Sequence, residues 1–316
     1  MKKFIALLFF AFSFGTMDAT TPVKQWGQLQ VTGAQLCAQD GQPIVLRGVS
    51  LGWHNLWPRF YNKGSVKWLT NEWHINVIRA AMGIQIEDNY LENPDFAISC
   101  MTPVIEAAIK QNIYVIIDWH AHTMHTPEAK AFFKHMAQKY GKYPNVIYEL
   151  YNEPIDDSWE DLKTYAKEII TEIRTYDPDN IILMGCPHWY QDIDLVAASP
   201  IEGVTNVMYT VHFYAATHKD YLRNKMAEAV KSGLPVFVSE CAGMEASGDG
   251  PLNEEEWQKW VDLMENLKIS YACWSLSDKN ETCSMLLPRA QKDGNWTPDL
   301  VKPWGKLVQA TLRKYQ

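Results

Sequence analysis

Two glutamates stand where strand-like runs give out. Glu153 closes Tyr148-Glu149-Leu150-Tyr151-Asn152-Glu153-Pro154, after the apolar climb Asn145-Val146-Ile147-Tyr148. Pro154 cannot donate a ladder hydrogen bond, so pairing stops there, and Asn152 sets an amide beside the carboxylate. Glu240 lies 87 residues on, at the end of Leu234-Pro235-Val236-Phe237-Val238-Ser239. A single strand-end glutamate is usually a surface cap. Two in one domain can work as a pair. One protonates a leaving oxygen while the other attacks carbon or activates water, which is the apparatus of glycoside hydrolysis.

Elements that could hold such a pair recur along the chain. Apolar strand-like runs cover Val45–Ser50, Asn76–Ala80, Tyr114–Trp119, Val146–Tyr151, Ile181–Gly185, Val207–Phe213, Pro235–Glu240 and Ile269–Leu276. Amphipathic segments lie between them. Leu162, Tyr165, Ala166, Ile169, Ile170 and Ile173 keep helical spacing behind Ser158 as N-cap, and Trp257, Trp260, Val261, Met264 and Leu267 do so behind Glu254 and Glu255. Continuously apolar strands alternating with helices predict a parallel sheet covered on both faces. No Gly-x-Gly-x-x-Gly follows the first strand, which disfavours an open dinucleotide-binding sheet. We therefore expect an α/β fold, a single (β/α)8 barrel of the TIM type. The segments Trp26–Val31 and Gln35–Ala38 predict a short N-terminal β-hairpin plugging its bottom.

Bulk properties narrow the function classes. The chain has 316 residues, 47% of them hydrophobic, enough for one large core. A formal charge of −8 disfavours a nucleic-acid groove. Lys2, Lys3 and the apolar run Phe4–Phe12, followed by Gly15, Thr16 and Ala19, read as a secretory signal, cleaved between Gly15 and Thr20. That run is too short to span a bilayer. The expected division is a signal peptide at 1–19 and one catalytic domain at 20–316, secreted, off the membrane and monomeric. Cys37, Cys100, Cys186, Cys241, Cys273 and Cys283 allow fifteen pairings, with Cys241–Cys273 a plausible bridge. Asn280 and Asn295 begin glycosylation sequons, relevant only to a eukaryotic source.

In a barrel the strand tips share one cleft. There the sequence offers Trp53, His54, Arg79, Asp118-Trp119-His120, Asn152, Glu153, His188, Trp189, His212, Tyr214, Glu240, Trp274, Lys279 and Glu281. The ordered set Arg79-Ala80-Ala81-Met82, Asp118-Trp119-His120, Tyr148 to Pro154, His212-Phe213-Tyr214, Ser239-Glu240 and Trp274 to Glu281 resembles glycoside hydrolase family 5, and most closely its secreted endo-β-1,4-glucanases. The resemblance runs from about Gly27 to the final helix.

It implies a retaining cellulase acting on β-1,4-glucan, with no metal or other cofactor. Glu153 matches the acid/base and Glu240 the nucleophile. Strands four and seven would bring them face to face at about 5–5.5 Å. Arg79 under Glu240 would favour the ionised nucleophile, and Glu153 beside that anion would stay protonated. Asn152 matches the partner of the sugar 2-hydroxyl, and Tyr214 the tyrosine touching the nucleophile. His120 and His212 match residues that hold hydroxyls and the acid/base. Trp274 matches the platform beside the scissile bond, and Lys279 and Glu281 ligands of more distant hydroxyls. Trp53, Trp57 and Trp189 are candidate stacking surfaces, while Trp73, Trp119 and Trp257 are assigned to the core. Two departures touch subsites. Gly83 stands where many relatives carry Tyr, so one sugar-facing aromatic is absent or supplied by another loop, and the loop Leu51–Trp57 holding His54 differs from the common one.

Competing readings stay within reach of the same residues. Another β-glycan could be the substrate: mannan, xyloglucan or mixed-linkage glucan. His120-Ala121-His122, with His188, His212 and Asp278, could ligate zinc in a metal-dependent hydrolase. A glycan-binding protein without activity would be expected to have lost one of the two glutamates.

Overall fold

The structure, a computed structural model, describes residues 20–316. The expected signal peptide at 1–19 lies outside the described residues. The chain enters through a short helix, Pro22–Trp26, whose first residue is the proline that suits a helix start. That helix takes up Trp26, so the hairpin is shorter than its sequence suggests: β1 (Gln30–Thr32) pairs antiparallel with β2 (Gln35–Cys37).

Eight parallel strands follow: β3 (Arg47–Leu51), β4 (Val77–Gly83), β5 (Tyr114–His120), β6 (Val146–Glu149), β7 (Ile181–Met184), β8 (Val207–Tyr214), β9 (Val236–Ala242) and β10 (Tyr271–Leu276). They close into a barrel, with β10 pairing β3. Helices stand between successive strands. In Trp159–Arg174, Ser158 accepts from the Asp161 N–H, and the buried stripe Leu162, Tyr165, Ala166, Ile169, Ile170, Ile173 is the one the spacing predicts. Asn253 caps Glu254–Leu267 in the same way. Among the described residues, no helix is long and apolar enough to cross a membrane.

Period-two alternation explains what fills the barrel. At the bottom, Leu46, Val77, Tyr114, Ile116, Ile147, Leu183, Met208 and Phe237 join Leu29 and Leu36 of the hairpin in one apolar cluster. The Tyr114 hydroxyl donates to Gly27 O at 2.8 Å, fastening the plug. Two residues higher on the same strands the layer turns polar: Val77 gives way to Arg79, Ile116 to Asp118, Ile147 to Glu149 and Phe237 to Ser239. Helices pack outside, with Trp73, Trp119, Trp257, Trp260 and Trp304 buried. Phe213 of β8 stacks on Trp260 at 3.8 Å between ring centroids. Truncating a buried tryptophan of this kind costs about 3–5 kcal/mol.

All six cysteines are buried and free. Cys241 and Cys273 do sit at paired positions on β9 and β10, as their strand ends suggested, but the Cys241 thiol donates to Ala272 O (3.5 Å) and no bridge forms.

Candidate active site

Three strand tips build the centre. After β6 the chain turns across the end of β5: Asn152 N–H donates to Trp119 O and Glu153 N–H to Ala121 O, both at 3.0 Å. These bonds fix the Asn-Glu pair over the cleft. Glu240 arrives by a local irregularity. β8 and β9 pair Thr210 with Phe237, then His212 with Glu240, so β9 carries one extra residue between these pairs. Such a bulge interrupts strict alternation. Ser239 and Glu240 consequently both reach polar partners inside the barrel.

β8 spans the pair. His212 Nδ1 lies 2.8 Å from Glu153 Oε1, while the Tyr214 hydroxyl donates to Glu240 Oε1 at 2.7 Å. One carboxylate oxygen each of Glu153 and Glu240 and one ring nitrogen of His212 all fall within 4.8 Å of one another. Beneath them Arg79, wholly buried, donates to Glu240 Oε2 (3.1 Å), Glu149 Oε2 (2.7 Å) and Asn152 Oδ1 (2.7 Å), and pairs with Asp118 Oδ2 at 3.0 Å. Asn152 thus commits its oxygen to Arg79; among the described residues no protein group takes its amide hydrogens.

The protonation order differs from the sequence expectation. Burial opposes a charge on Glu153, but hydrogen bonds from His122 and His212 more than reverse it and hold the carboxyl at about 2. Burial likewise opposes a charge on His212, yet Glu149 and Glu153 raise it to about 9. Glu240 lies above the usual carboxylate range, because burial and then Glu153 outweigh His212, Arg79 and Tyr214. In the free cleft the proton therefore rests on His212, against Glu153, rather than on Glu153 itself. The stability that Glu153 contributes is present above about pH 4.5 and lost as pH falls through about 2; that of His212 is present below about pH 6.5 and lost as pH rises through about 9.

The remaining candidates divide. His120 is buried, its Nδ1 2.7 Å from Asp118 Oδ2, with Trp274 stacked on it at 5.3 Å between centroids. Trp274 is 8% exposed and Trp189 44%. Trp189 rides on a turn with three successive left-handed residues, His188, Trp189 and Tyr190, whose backbone docks on the Asn-Glu-Pro loop through Trp189 N–H to Pro154 O at 3.0 Å. It borders an open cavity of ≈ 390 Å³ beside Glu153, Gln191 and His218. Lys279 and Glu281 pair with each other at 2.5 Å beyond β10.

Three assignments change. His54 is wholly buried, and its Nδ1 accepts the Gly83 N–H at 3.0 Å, so it serves the loop and not a ligand. Arg79 does lie under Glu240 as expected, but its place among the substrate-binding residues is corrected: it is sealed beneath the carboxylates it holds. Trp57 is half-buried in loop packing; a Cβ on Gly52 would come 2.6 Å from its ring. Gly83 explains itself: a Cβ there would meet Asn55 at 2.5 Å and the Trp53 ring at 3.1 Å. The first loop thus fills the missing aromatic's place with Trp53.

Sequence reasoning missed Glu149, Ser239 and His122. His122 Nε2 stands 3.4 Å from Glu153 Oε2, with Trp53 stacked on its ring. It belongs to the H-x-H considered for zinc, yet His120 is tied to Asp118 and His188 to Asp192.

Comparison with known proteins agrees with this geometry. The family model Cellulase (glycosyl hydrolase family 5) matches residues 37–280. An endoglucanase of Clostridium saccharobutylicum is 40% identical over 316 residues, covering 98% of this chain and 70% of the relative. A solved structure from Cytophaga hutchinsonii superposes with a TM-score of 0.91 at 44% identity, over 93% of this chain and 97% of that one. The Thermobifida fusca endoglucanase Cel5A catalytic domain, a glutamate-to-glutamine variant in complex with cellotetraose, gives 0.87 at 34% identity over 93% and 99%. Extent of match and opposed glutamates lead to one assignment: the chain belongs to glycosyl hydrolase family 5 and is a glycoside hydrolase.

Proposed function

We propose that the protein is an endo-acting β-1,4-glucanase that cleaves cellulose-type glucans by double displacement, with Glu240 as nucleophile and Glu153 as acid/base. The observation that carries this is that an oxygen of Glu153 and an oxygen of Glu240 lie within 4.8 Å of each other. Retaining enzymes need about 5–5.5 Å, whereas inverting ones hold about 6.5–9.5 Å to admit a water between the groups. Glu240, fixed by Arg79 and Tyr214, attacks the anomeric carbon. Glu153 protonates the departing oxygen, then takes a proton from the water that releases the intermediate. The Asn152 amide is free to donate to the 2-hydroxyl, a contact that tightens in the transition state. The Thermobifida fusca relative in complex with cellotetraose supports a β-1,4-glucan substrate. Such polymers do not enter cells, so the apolar leader fits an exported protein.

Side-by-side assays on carboxymethyl-cellulose, mannan, xyloglucan and barley-type glucan test the reading. Carboxymethyl-cellulose should lose viscosity well before reducing ends accumulate. Faster depolymerisation of mannan or xyloglucan would overturn the substrate assignment, and loss of activity in a strong chelator would restore a metal mechanism.

Trp189 on its exposed turn is the stacking surface on the side of the ≈ 390 Å³ cavity. Removing such an aromatic face forfeits about 0.5–1.5 kcal/mol, so Trp189→Ala should raise KM for cello-oligosaccharides roughly 2- to 12-fold with kcat nearly unchanged. Steady-state kinetics on cellohexaose decide it; an unchanged KM removes Trp189 from the subsites.

A further inference from the structure

Behind the acid/base runs a line of hydrogen bonds that fixes a proton count. Glu149 is buried and accepts from Arg79 at both oxygens, Nε to Oε2 at 2.7 Å and Nη2 to Oε1 at 3.3 Å. Although burial works against its charge, Arg79 and His212 hold it below the usual carboxylate range, so it is only an acceptor. The Ser239 hydroxyl, 2.6 Å from Glu149 Oε1, must spend its one proton there. It therefore meets His212 Nε2, 2.9 Å away, with a lone pair, and Nε2 has to be the donor. At the ring's other end, Nδ1 lies 2.8 Å from Glu153 Oε1. Two lone pairs cannot face each other so closely. A proton must sit on that line, on the imidazole or on the carboxyl.

We propose that Ser239 and Glu149 are positioning residues for acid catalysis: by committing His212 Nε2 as a donor, they force a second proton into the His212–Glu153 hydrogen bond, and Glu153 delivers that proton to the leaving oxygen. The inference rests on the retaining glucanase reading above. In the first half-reaction Glu240 bonds to the anomeric carbon, the C–O bond breaks with its electron pair on the departing oxygen, and the shared proton goes there. His212 keeps its Nε2 proton. In the second half-reaction water bonds to that carbon, Glu240 departs, and the water's proton refills the pair. The charged and titratable groups facing this pair are Glu149 (3.7 Å from Nε2), Glu240, His122 on the other oxygen of Glu153, and the Tyr190 ring over His212. None of them supplies the Nε2 acceptor that Ser239 does.

Leaving-group dependence separates this role from a structural one. A dinitrophenol departs without a proton, while phenol and glucose need one. Ser239→Ala should cut kcat/KM for phenyl β-cellobioside about tenfold or more and leave 2,4-dinitrophenyl β-cellobioside within about threefold, general acid catalysis being worth roughly 10²–10⁴. Ser239→Thr, which keeps the hydroxyl, should restore the loss. Glu149→Gln should show the same split, since its amide would donate to Ser239 and turn the hydroxyl onto Nε2. Equal losses on both substrates, or none on either, overturn the proposal; if Ser239→Ala folds poorly, Glu149→Gln decides by the same criterion. Wild-type protein inert on both cellobiosides would instead sink the glucanase reading, and this inference with it.

Discussion

Glu240→Gln should lose β-glucan hydrolysis by a factor of about 10⁴ or more while still binding cellotetraose, as expected for loss of a covalent nucleophile. The substitution keeps shape and changes chemistry. The amide oxygen can take the Oε2 position and accept from Arg79 Nη1, while the amide nitrogen at the Oε1 position donates to the Tyr214 hydroxyl, which turns to accept, so the floor of the cleft should hold its form. It cannot form the ester to the anomeric carbon, and Glu153 then has no partner to complete a displacement. Binding draws on other groups, chiefly Asn152 and the aromatic surfaces at Trp53, Trp189 and Trp274, none of which the change touches. Reducing-end release and cellotetraose calorimetry on the same preparation form the measurement. Turnover within tenfold of wild type would remove Glu240 as nucleophile; loss of binding along with turnover would mean that the site itself had collapsed.

What could be read in advance followed from patterns that act along a strand. Continuous apolar runs fixed eight strands and their alternation with helices, and Asn152-Glu153-Pro154 announced a strand tip by its proline. The same period of two could have marked Glu149 and Asp118 as inward-facing, since both follow inward isoleucines by two residues. What stayed hidden depends on register and on which loop lies over which. Nothing in Val236-Phe237-Val238-Ser239-Glu240 reveals the extra residue that brings Glu240 to the cleft beside the inward Ser239. His54 looked like a cleft residue until the first loop folded it beneath Gly83, and only the folded loop shows Trp53 filling the space above that glycine. The resting proton was misplaced for a related reason. Its position is set by His122 and His212 converging on Glu153 from different strands, a contact no local motif encodes.

Arg79→Met should cost the fold at least as much as it costs the chemistry. Arg79 is the cation shared by Asp118 (3.0 Å), Glu149 (2.7 Å) and Glu240 (3.1 Å), in a layer closed to water. Methionine fits the volume and leaves these carboxyls facing one another without a counter-charge. Removing one partner from a buried ion pair costs about 3–5 kcal/mol, and three partners are stranded here. The penalty must depend on pH, with a definite sign. Asp118 already sits well above its ordinary value, because burial outweighs the pull of Arg79 and its acidic neighbours add to the effect. Without Arg79, all three folded-state values rise above those of the unfolded chain, near 4. The folded variant then binds more protons than the unfolded one, so its stability falls as pH rises from about 4 through the raised values. Urea unfolding at pH 4.5 and 7.5 should show a deficit that grows by at least about 1.4 kcal/mol, the equivalent of one shifted unit in a single group. Arg79→Lys keeps the charge but offers a point donor in place of a planar fork, and should fall between the two. A deficit equal at both pH values would mean that Arg79 contributes packing alone. The polar layer under the catalytic pair would then be held by its hydrogen bonds, without need of the cation.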